Sequence, residues 1–549
     1  MNDLWYGTWR ESCRLSARRF DVAARSLQSV QERRLKRVLR ENAATCFGRE
    51  HQFDAVDSPR SFRNRVPLSE YEDLKPYVER ITDGEQHVLT RRLVPMLEPS
   101  SGTTSATKLI PYTAGLRREF VEGINTWVWH LLSAYPGIRR GTLYLAVSPA
   151  SGFSTAATSR VPIGFGDDTA YLTGLQQGLV SRLLSIPSEL CALSDLRTLQ
   201  YLTRLLLLAD EHLSFISVWS PTFLNVILDD LGQWADRTVS NIAEGRAHPP
   251  SPIPPEVIRA VERRLQQRRS RADELRRIFA AWQSGDLDNP WPYIWPNLCL
   301  VSCWADGWSR DPARHLMTQL SHAQMQPKGL LATEACVSIP LTTEGVTNHV
   351  LAACSHYFEF ENQDTGEVVN AWDLRNDATY GVIVTTSGGL YRYRLHDLVR
   401  VRAWRGQLPV LSFVGRSDRT SDLSGEKLNA VHATRVVNNA LHRYAIRSDT
   451  YFLVPDASPT RGCYKLYLHL LDSDINRLPD LQKLVEAGLQ ENYHYRHCRN
   501  LGQLDAVALV PMHADERDRY LGWKSARNSI STVKPGGIED PSATLILYP

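Results

Sequence analysis

The stretch Glu98-Pro99-Ser100-Ser101-Gly102-Thr103-Thr104-Ser105-Ala106-Thr107-Lys108 is a hydroxyl-rich turn around a glycine, closed by one lysine. Such a turn can wrap a phosphate. Gly102 lets the backbone come close to a ligand and reach φ > 0. Ser100, Ser101, Thr103 and Thr104, with nearby N–H groups, can donate to phosphate oxygens, and Lys108 adds a point charge. A ligand-free surface loop can have the same composition, so the stretch is weighed together with others. Thr333-Glu334 follows the strand-like run Leu330 to Ala332. A carboxylate there could hold Mg²⁺ against phosphate oxygens, or be an ordinary surface Glu. Asp397 ends an aromatic, arginine-rich run and could accept from both hydroxyls of a ribose. Its other reading is an ion pair with Arg392, Arg394 or Arg400. Gly415-Arg416 ends a further run, and Gly425-Glu426-Lys427 lies beyond it. Open α/β folds place ligands at the carboxyl ends of strands, which is where these polar residues fall.

The elements that must position them read as alternating strands and helices. Residues 1–50 repeat Leu27, Val30, Leu35, Val38 and Leu39 at near-helical spacing. A helix is expected just after Ser69 as cap, with Glu70, Glu72 and Asp73 at its positive end. Beyond the loop, Arg117 to Ser133 reads as an aromatic-rich helix carrying Phe120, Trp127 and Trp129. Leu143 to Val147 and Phe215 to Trp219 read as buried strands, Leu193 to Ala209 as a helix, and Thr222 onward as another through Phe223, Ile227, Leu231 and Trp234. This alternation predicts an α/β fold of mostly parallel sheets with flanking helices. After a proline-rich connector at 247–255, one arginine-heavy helix is expected from Ile258 to Phe279. Glu262, Asp273 and Glu274 interrupt its charge, which favours a solvated face over a basic patch. From Leu330 the chain turns strand-like, with a hairpin-type turn at Gly388-Gly389. The polar stretch Ser417 to Asp422 marks a boundary: a large N-terminal domain over 1–416 and a small mobile α+β C-terminal domain over 417–549 are expected.

Length and composition agree with a soluble globular protein. At 549 residues, roughly two to four domains or subdomains are expected. Hydrophobic residues at 43% and charged residues at 22% are those of a globular chain, and a net charge of +3 does not imply nucleic-acid binding. The best apolar run, Leu205 to Leu208, is far below the ~20 residues of a membrane span. The N-terminus has no apolar stretch of signal-peptide type. Nine scattered cysteines without a CxxC pair suggest reduced thiols in a cytoplasm. Cys299 and Cys303 have no matching second pair, so no metal site is expected there.

The order of these motifs resembles the plant auxin-responsive promoter (Gretchen Hagen) family of acyl acid amido synthetases, within the adenylate-forming superfamily of firefly luciferase and acyl-CoA ligases. Phe47-Gly48-Arg49-Glu50-His51-Gln52-Phe53, Phe62 to Leu68 and Tyr71 to Tyr77 look like the family's N-terminal signature. Ser100 to Thr104, with Lys108 and Pro111, looks like its phosphate loop. Trp295-Pro296-Asn297, Leu331 to Glu334, Tyr357 to Phe360, Thr385 to Arg394, Asp397 and Lys427 follow in family order, and Asn528-Ser529 with Lys534-Pro535 is similar to a C-terminal motif. The resemblance spans nearly the whole chain.

It implies a two-step reaction with ATP and Mg²⁺. A carboxylic acid attacks the α-phosphate to give acyl-AMP and pyrophosphate, and an amine, usually an amino acid, then takes the acyl group. Carried over residue by residue, Ser100, Ser101, Gly102, Thr103, Thr104 and Lys108 would hold phosphates. Thr333 and Arg416 would lie at the nucleotide, Asp397 at the ribose and Glu334 at Mg²⁺. Lys427 and Lys534 would be catalytic, the second in one of two domain orientations. Arg117, Arg118, Phe120 and Trp127 would lie near the acyl pocket. The expected partners are a small-molecule acid and an amine, with no nucleic acid and no membrane, and a monomer is expected. Three departures stand out. The loop tail Thr104 to Thr107 is poor in glycine, His396 stands where the family usually has Gly before the Asp, and Thr-Glu-Ala-Cys replaces Ser-Ser-Glu. Cys336 is read as packing, since the adenylate needs no covalent enzyme intermediate. An acyl-CoA-forming ligase and a non-catalytic nucleotide- or acid-binding relative are the alternatives.

Overall fold

The computed structural model describes the chain apart from residue 1 and residues 101–107, 147–159, 164–171, 194, 230, 307–308, 418–419, 422, 424–425, 427, 457–461, 472–476, 501–502, 528–536, 540–541 and 548–549. It divides into two compact units. The first comprises residues 1–218, 230–302 and 320–413, the second 219–229, 303–319 and 414–549. The chain passes between them five times, the last inside the strand Leu408–Arg416.

Two larger sheets build the first unit. Thr142–Leu145, Leu213–Ser217, Leu300–Cys303 and Gln324–Pro327 lie side by side, the first three in parallel. Parallel neighbours need a crossover, and helices such as Leu196–Ala209 provide it. Both faces are then covered, so every residue of Leu213–Ser217 and Leu300–Cys303 is buried. The other sheet has seven strands in the order Val368–Asn370, Tyr357–Asn362, Thr379–Thr385, Tyr393–Arg405, Leu408–Arg416, Val346–Leu351, Ser338–Thr343. Its described pairings are antiparallel, because turns such as Thr386 to Leu390 join neighbours directly. Phe47, Phe62, Tyr357, Phe358, Tyr380 and Tyr391 fill its core.

In the second unit, Ser448–Asp456, Cys463–Leu470 and Ala508–Met512 form a three-stranded sheet, antiparallel then parallel. Strand alternation divides its side chains. Tyr451 and Leu453 join Val437, Leu481 and Val485 from the helices Ala430–Arg443 and Leu478–Leu489. Phe452 and Val454 face the other way, where Phe452 stacks on Tyr520 at 4.0 Å.

Three local expectations change. The helix predicted from Ile258 to Phe279 is two helices, Pro255–Leu265 and Arg269–Gln283. Gln266 breaks it at φ +45, and its carbonyl carbon lies 2.7 Å from where a Cβ on Gly245 would sit. Several of its arginines are tethered rather than solvated. Arg268 and the buried Arg271 donate to the carbonyls of Ala209 and Leu208 at 3.0 Å, satisfying the end of the helix Leu196–Ala209. The run from Thr222 is also two helices, Pro221–Asp229 and Leu231–Glu244. The cap of Tyr71–Thr82 is Glu70 rather than Ser69, because the Ser69 hydroxyl donates to the Tyr391 carbonyl at 2.8 Å.

Candidate active site

The ends of the phosphate-type loop are pinned together. Met96–Ser100 and Lys108–Tyr112 pair antiparallel, with Ser100 opposite Lys108. Ser101, Gly102, Thr103 and Thr104 lie outside the described residues, as does the side chain of Ser100. Lys108 directs its ammonium over the Tyr71 ring, 5.9 Å from the centroid, and the Tyr71 hydroxyl accepts from the Leu109 N–H at 2.8 Å. Tyr71 begins its helix, so the loop's return strand is fastened to a rigid element.

Two residues earlier, the same segment grips the strand carrying Asp397. Ser69 N–H donates to the Arg392 carbonyl and Arg394 N–H to the Ser69 carbonyl, both at 3.0 Å. The buried Arg392, at φ +48, donates from its guanidinium to the Val66 carbonyl at 2.8 Å and to Glu359 at 2.9 Å. Glu359 is itself only 1% exposed, and burial pushes its carboxyl up despite the Arg392 and Arg63 cations beside it. Ser69-Glu70-Tyr71 thus braces the loop's exit and the Asp397 strand together. The family-like signature at 62–77 therefore does structural work for residues more than 300 positions away.

Asp397 lies within the strand Tyr393–Arg405, not at its end. A bulge sets it there. Gly381 opposes Leu398 and Ile383 opposes Arg394, so Leu395-His396-Asp397 faces Val382 alone. His396 takes φ +63, the conformation glycine adopts most readily. Its Nε2 lies 2.5 Å from Glu70 Oε2, and Arg394 flanks the pair, 3.7 Å from Glu70 and 2.8 Å from Glu361. Asp397 is 3% exposed in a row with Tyr393, Leu395, Val399 and Val401. A carboxylate in an apolar row is destabilising unless compensated, so its burial depends on polar partners.

Thr333 and Glu334 form a tight turn closed by Ala332 and Ala335, whose backbone groups bond reciprocally at 2.9 and 3.3 Å. The strand expected before them reduces to one bridge, Leu331 with Cys336. Glu334 is buried. Among the described residues no cluster of His, Cys, Asp and Glu could hold a metal on its own. One carboxylate suits Mg²⁺, which is held by one or two carboxylates together with substrate phosphates and water. Behind this turn runs a buried relay. Cys336 N–H donates to His356 Nε2 at 3.0 Å, which leaves Nδ1 to donate to Glu119 Oε2 at 3.0 Å. Glu119 also accepts from Ser387 N–H at 2.9 Å and Ser387 Oγ at 2.6 Å. Burial acts to raise the Glu119 carboxyl, yet it sits below the usual range because His356, Arg34 and Ser387 outweigh that. Cys336 is packing: a Cβ on Gly123 would come within 2.5 Å of its Sγ, and burial pushes the thiol up to about 12.

The remaining candidates spread over several surfaces. On the helix Ala114–Ala134, Phe120 is fully buried in the core, and Arg117 donates to the Leu172 carbonyl at 2.5 Å. Trp127 Nε1 donates to Gln326 at 2.9 Å. Arg118 lies nine residues from Trp127 and hence on the opposite side of the helix. Lys328, which sequence reasoning passed over, sits 4.9 Å from the Trp127 ring centroid and donates to Ser217 Oγ at 2.7 Å. Arg416 belongs to the second unit. Lys427 and Lys534 lie outside the described residues. Glu426, which precedes Lys427 in the sequence, is buried, accepting from Leu423 N–H at 2.7 Å and from the Tyr464 hydroxyl.

The GH3 family N-terminal domain pattern matches residues 16–312, and the GH3 family central domain pattern matches residues 349–416. The chain is 27% identical over 454 residues to a probable indole-3-acetic acid-amido synthetase of Oryza sativa subsp. japonica, covering 75% of this chain and 73% of that one. It is 26% identical over 450 residues to a jasmonoyl–L-amino acid synthetase of Nicotiana attenuata, covering 74% and 72%. Among solved structures, a GH3.15 acyl acid amido synthetase superposes with a TM-score of 0.82 at 20% identity over 96% of this chain and 94% of that one. A 2-hydroxyisobutyryl-CoA ligase in its postadenylation state gives 0.50 at 11% identity, covering 88% and 86%. These likenesses make the fold that of the adenylate-forming ligases.

Proposed function

The chain belongs to the GH3 family, and on that premise we propose that it is an ATP-dependent ligase joining a carboxylic acid to an amine, with an amino acid as the acceptor class. The acid is activated as acyl-AMP with release of pyrophosphate, and the amine displaces AMP to form the amide. The names of the rice and Nicotiana relatives support the reaction class. The observation that carries the reading is the brace at Ser69-Glu70-Tyr71, which fixes the exit of a phosphate-type loop and the bulged Asp397 strand to one helix start. Preorganised anchors of this kind convert substrate binding into orientation.

In this reading the loop 100–108 holds phosphates, Asp397 accepts from ribose hydroxyls, and Thr333 and Arg416 lie at the nucleotide. Glu334 would hold Mg²⁺, which offsets phosphate charge when bound. The attacking carboxylate and the α-phosphate are both anionic, so Lys427 and Lys534 serve to offset their repulsion. Trp127 with Lys328 offers an aromatic surface beside a cation, suited to a planar acid. Residues 417–549 form a small mobile C-terminal domain after the polar stretch that follows Arg416, and residues 1–416 the large domain. No helix among the described residues is long and apolar enough to cross a membrane. We place the protein in the cytoplasm, a reading supported by nine free cysteines, and take it to act as a monomer.

Acid-dependent exchange of pyrophosphate into ATP, measured across a panel of aryl and alkyl acids, tests the first step. Product analysis with an amino-acid panel and with coenzyme A tests the second. Release only to coenzyme A overturns the amide reading, and absence of exchange with every acid despite ATP binding overturns the ligase reading.

A further inference from the structure

A basic groove on the first unit, of about 970 Å³, lies between the helices Asn2–Ala23, Leu27–Asn42 and Ala114–Ala134. Seven of its lining residues are Arg or Lys and two are Glu. Both carboxylates are engaged. Glu122 pairs with Arg19 at 3.2 Å and accepts from Ser16 at 3.0 Å, while Glu41 lies 3.6 Å from Arg37 and from Arg92. Arg34 turns inward to Glu119 at 3.6 Å and to the Cys354 carbonyl. That leaves Arg33, Lys36, Arg40 and Arg118. None of these four has a carboxylate within ion-pairing distance among the described residues.

A row of exposed arginines on a helix is usually a solvated face. The exposed positions of the helices Pro255–Leu265 and Arg269–Gln283, such as Arg259 and Arg277, show what that looks like, with Glu262, Asp273 and Glu274 interspersed. The groove differs in two respects. Its cations face a concave wall, where low-dielectric surroundings concentrate the potential. They also repeat at i, i+3 and i+7 on Leu27–Asn42, a like-charge spacing that opposes the helix unless an anion relieves it. Arg33 to Arg40 covers about 10 Å of helix. That span exceeds what one monoanion can neutralise and matches a string of phosphates, which arginine forks bind bidentately.

We propose that this groove is a binding site for a small molecule carrying two or more phosphate groups, separate from the nucleotide site built around Asp397. The volume falls at the upper end of the range of small-molecule pockets.

The probe is inorganic tripolyphosphate, titrated by calorimetry at low ionic strength into the full chain carrying Lys108→Ala, so that the phosphate-type loop of the nucleotide site is impaired. Saturable binding is expected, with orthophosphate at least tenfold weaker. Arg33→Glu/Arg40→Glu is expected to weaken tripolyphosphate binding more than tenfold, and Arg33→Gln/Arg40→Gln to weaken it less. Arg259→Glu/Arg277→Glu, with the same change in net charge, is expected to leave it unaltered. All four positions are exposed, so thermal melts should coincide. Absence of binding, equal loss in both charge-reversed pairs, or capture of duplex DNA or anionic vesicles that tripolyphosphate does not displace would each overturn the proposal.

Discussion

Replacing His396 by glycine and by alanine separates the backbone at the bulge from the side chain that stabilises it. His396 holds φ +63, a conformation that opposes a Cβ by about 1 kcal/mol. Its imidazole bonds Glu70 at 2.5 Å, with side chains 20% and 39% exposed. A bond this open to solvent contributes about 1 kcal/mol at most. Alanine loses the bond and keeps the strain, so His396→Ala should destabilise by about 1 kcal/mol. Glycine loses the bond but relieves the strain, and its extra freedom in the unfolded chain takes back about 0.5–1 kcal/mol. His396→Gly should therefore lie within about 1 kcal/mol of the parent and above His396→Ala. Inside a regular strand the order is the reverse, with glycine the weaker residue. Urea unfolding of the three proteins, with exchange activity on the same samples, measures both effects. The glycine protein should retain exchange, because the bulge still presents Asp397. An alanine protein more stable than the glycine protein, the order of a regular strand, would refute a left-handed residue at 396 and the bulge that depends on it.

Asp397→Ala and Lys427→Ala should each lower acid-dependent pyrophosphate exchange by about 10²-fold or more with the melting curve preserved, and near-parental rates in both would show the nucleotide to be misplaced. Tyr71→Phe removes the acceptor for the Leu109 N–H, so a loss of about 1–2 kcal/mol and a raised KM for ATP are expected from denaturation and steady-state kinetics. Glu119→Gln leaves Ser387, His356 and Arg34 with a weaker partner and should destabilise by about 3 kcal/mol. The Glu119 carboxyl is depressed in the folded state, so its contribution is complete above the ordinary glutamate value of about 4.3 and is lost as pH falls through the lower folded value. Urea midpoints below pH 4.5 should accordingly converge between the parent and Glu119→Gln, and parallel curves throughout would count against that role.

Local chemistry was legible wherever a residue's neighbours in sequence are also its neighbours in space. The hydroxyl-rich stretch is flanked by paired strands, with Ser100 opposite Lys108. The Gly388-Gly389 turn is closed by Thr386 N–H on the Leu390 carbonyl at 2.8 Å. Legibility failed where a break depends on a distant contact. The helix from Ile258 runs on in periodicity but stops at Gln266, where Gly245 leaves room for the turn. Thr333-Glu334 reads as the end of a strand, whereas a two-residue turn closed on Ala335 holds it.

By itself the sequence determined the motifs and their order, the α/β alternation and the departures at Thr104 to Thr107 and His396, because these are properties of residue type and spacing. Only the tertiary structure decided what His396 is for. Glu70 stands 326 positions away and Ser69 and Tyr71 beside it. Register across a sheet is set by the packing of whole strands, and a bulge that shifts it by two residues has no local pattern of its own. A histidine where glycine is usual reads as a defect along the chain; in the fold, its partner Glu70 stabilises the turn that sets Asp397.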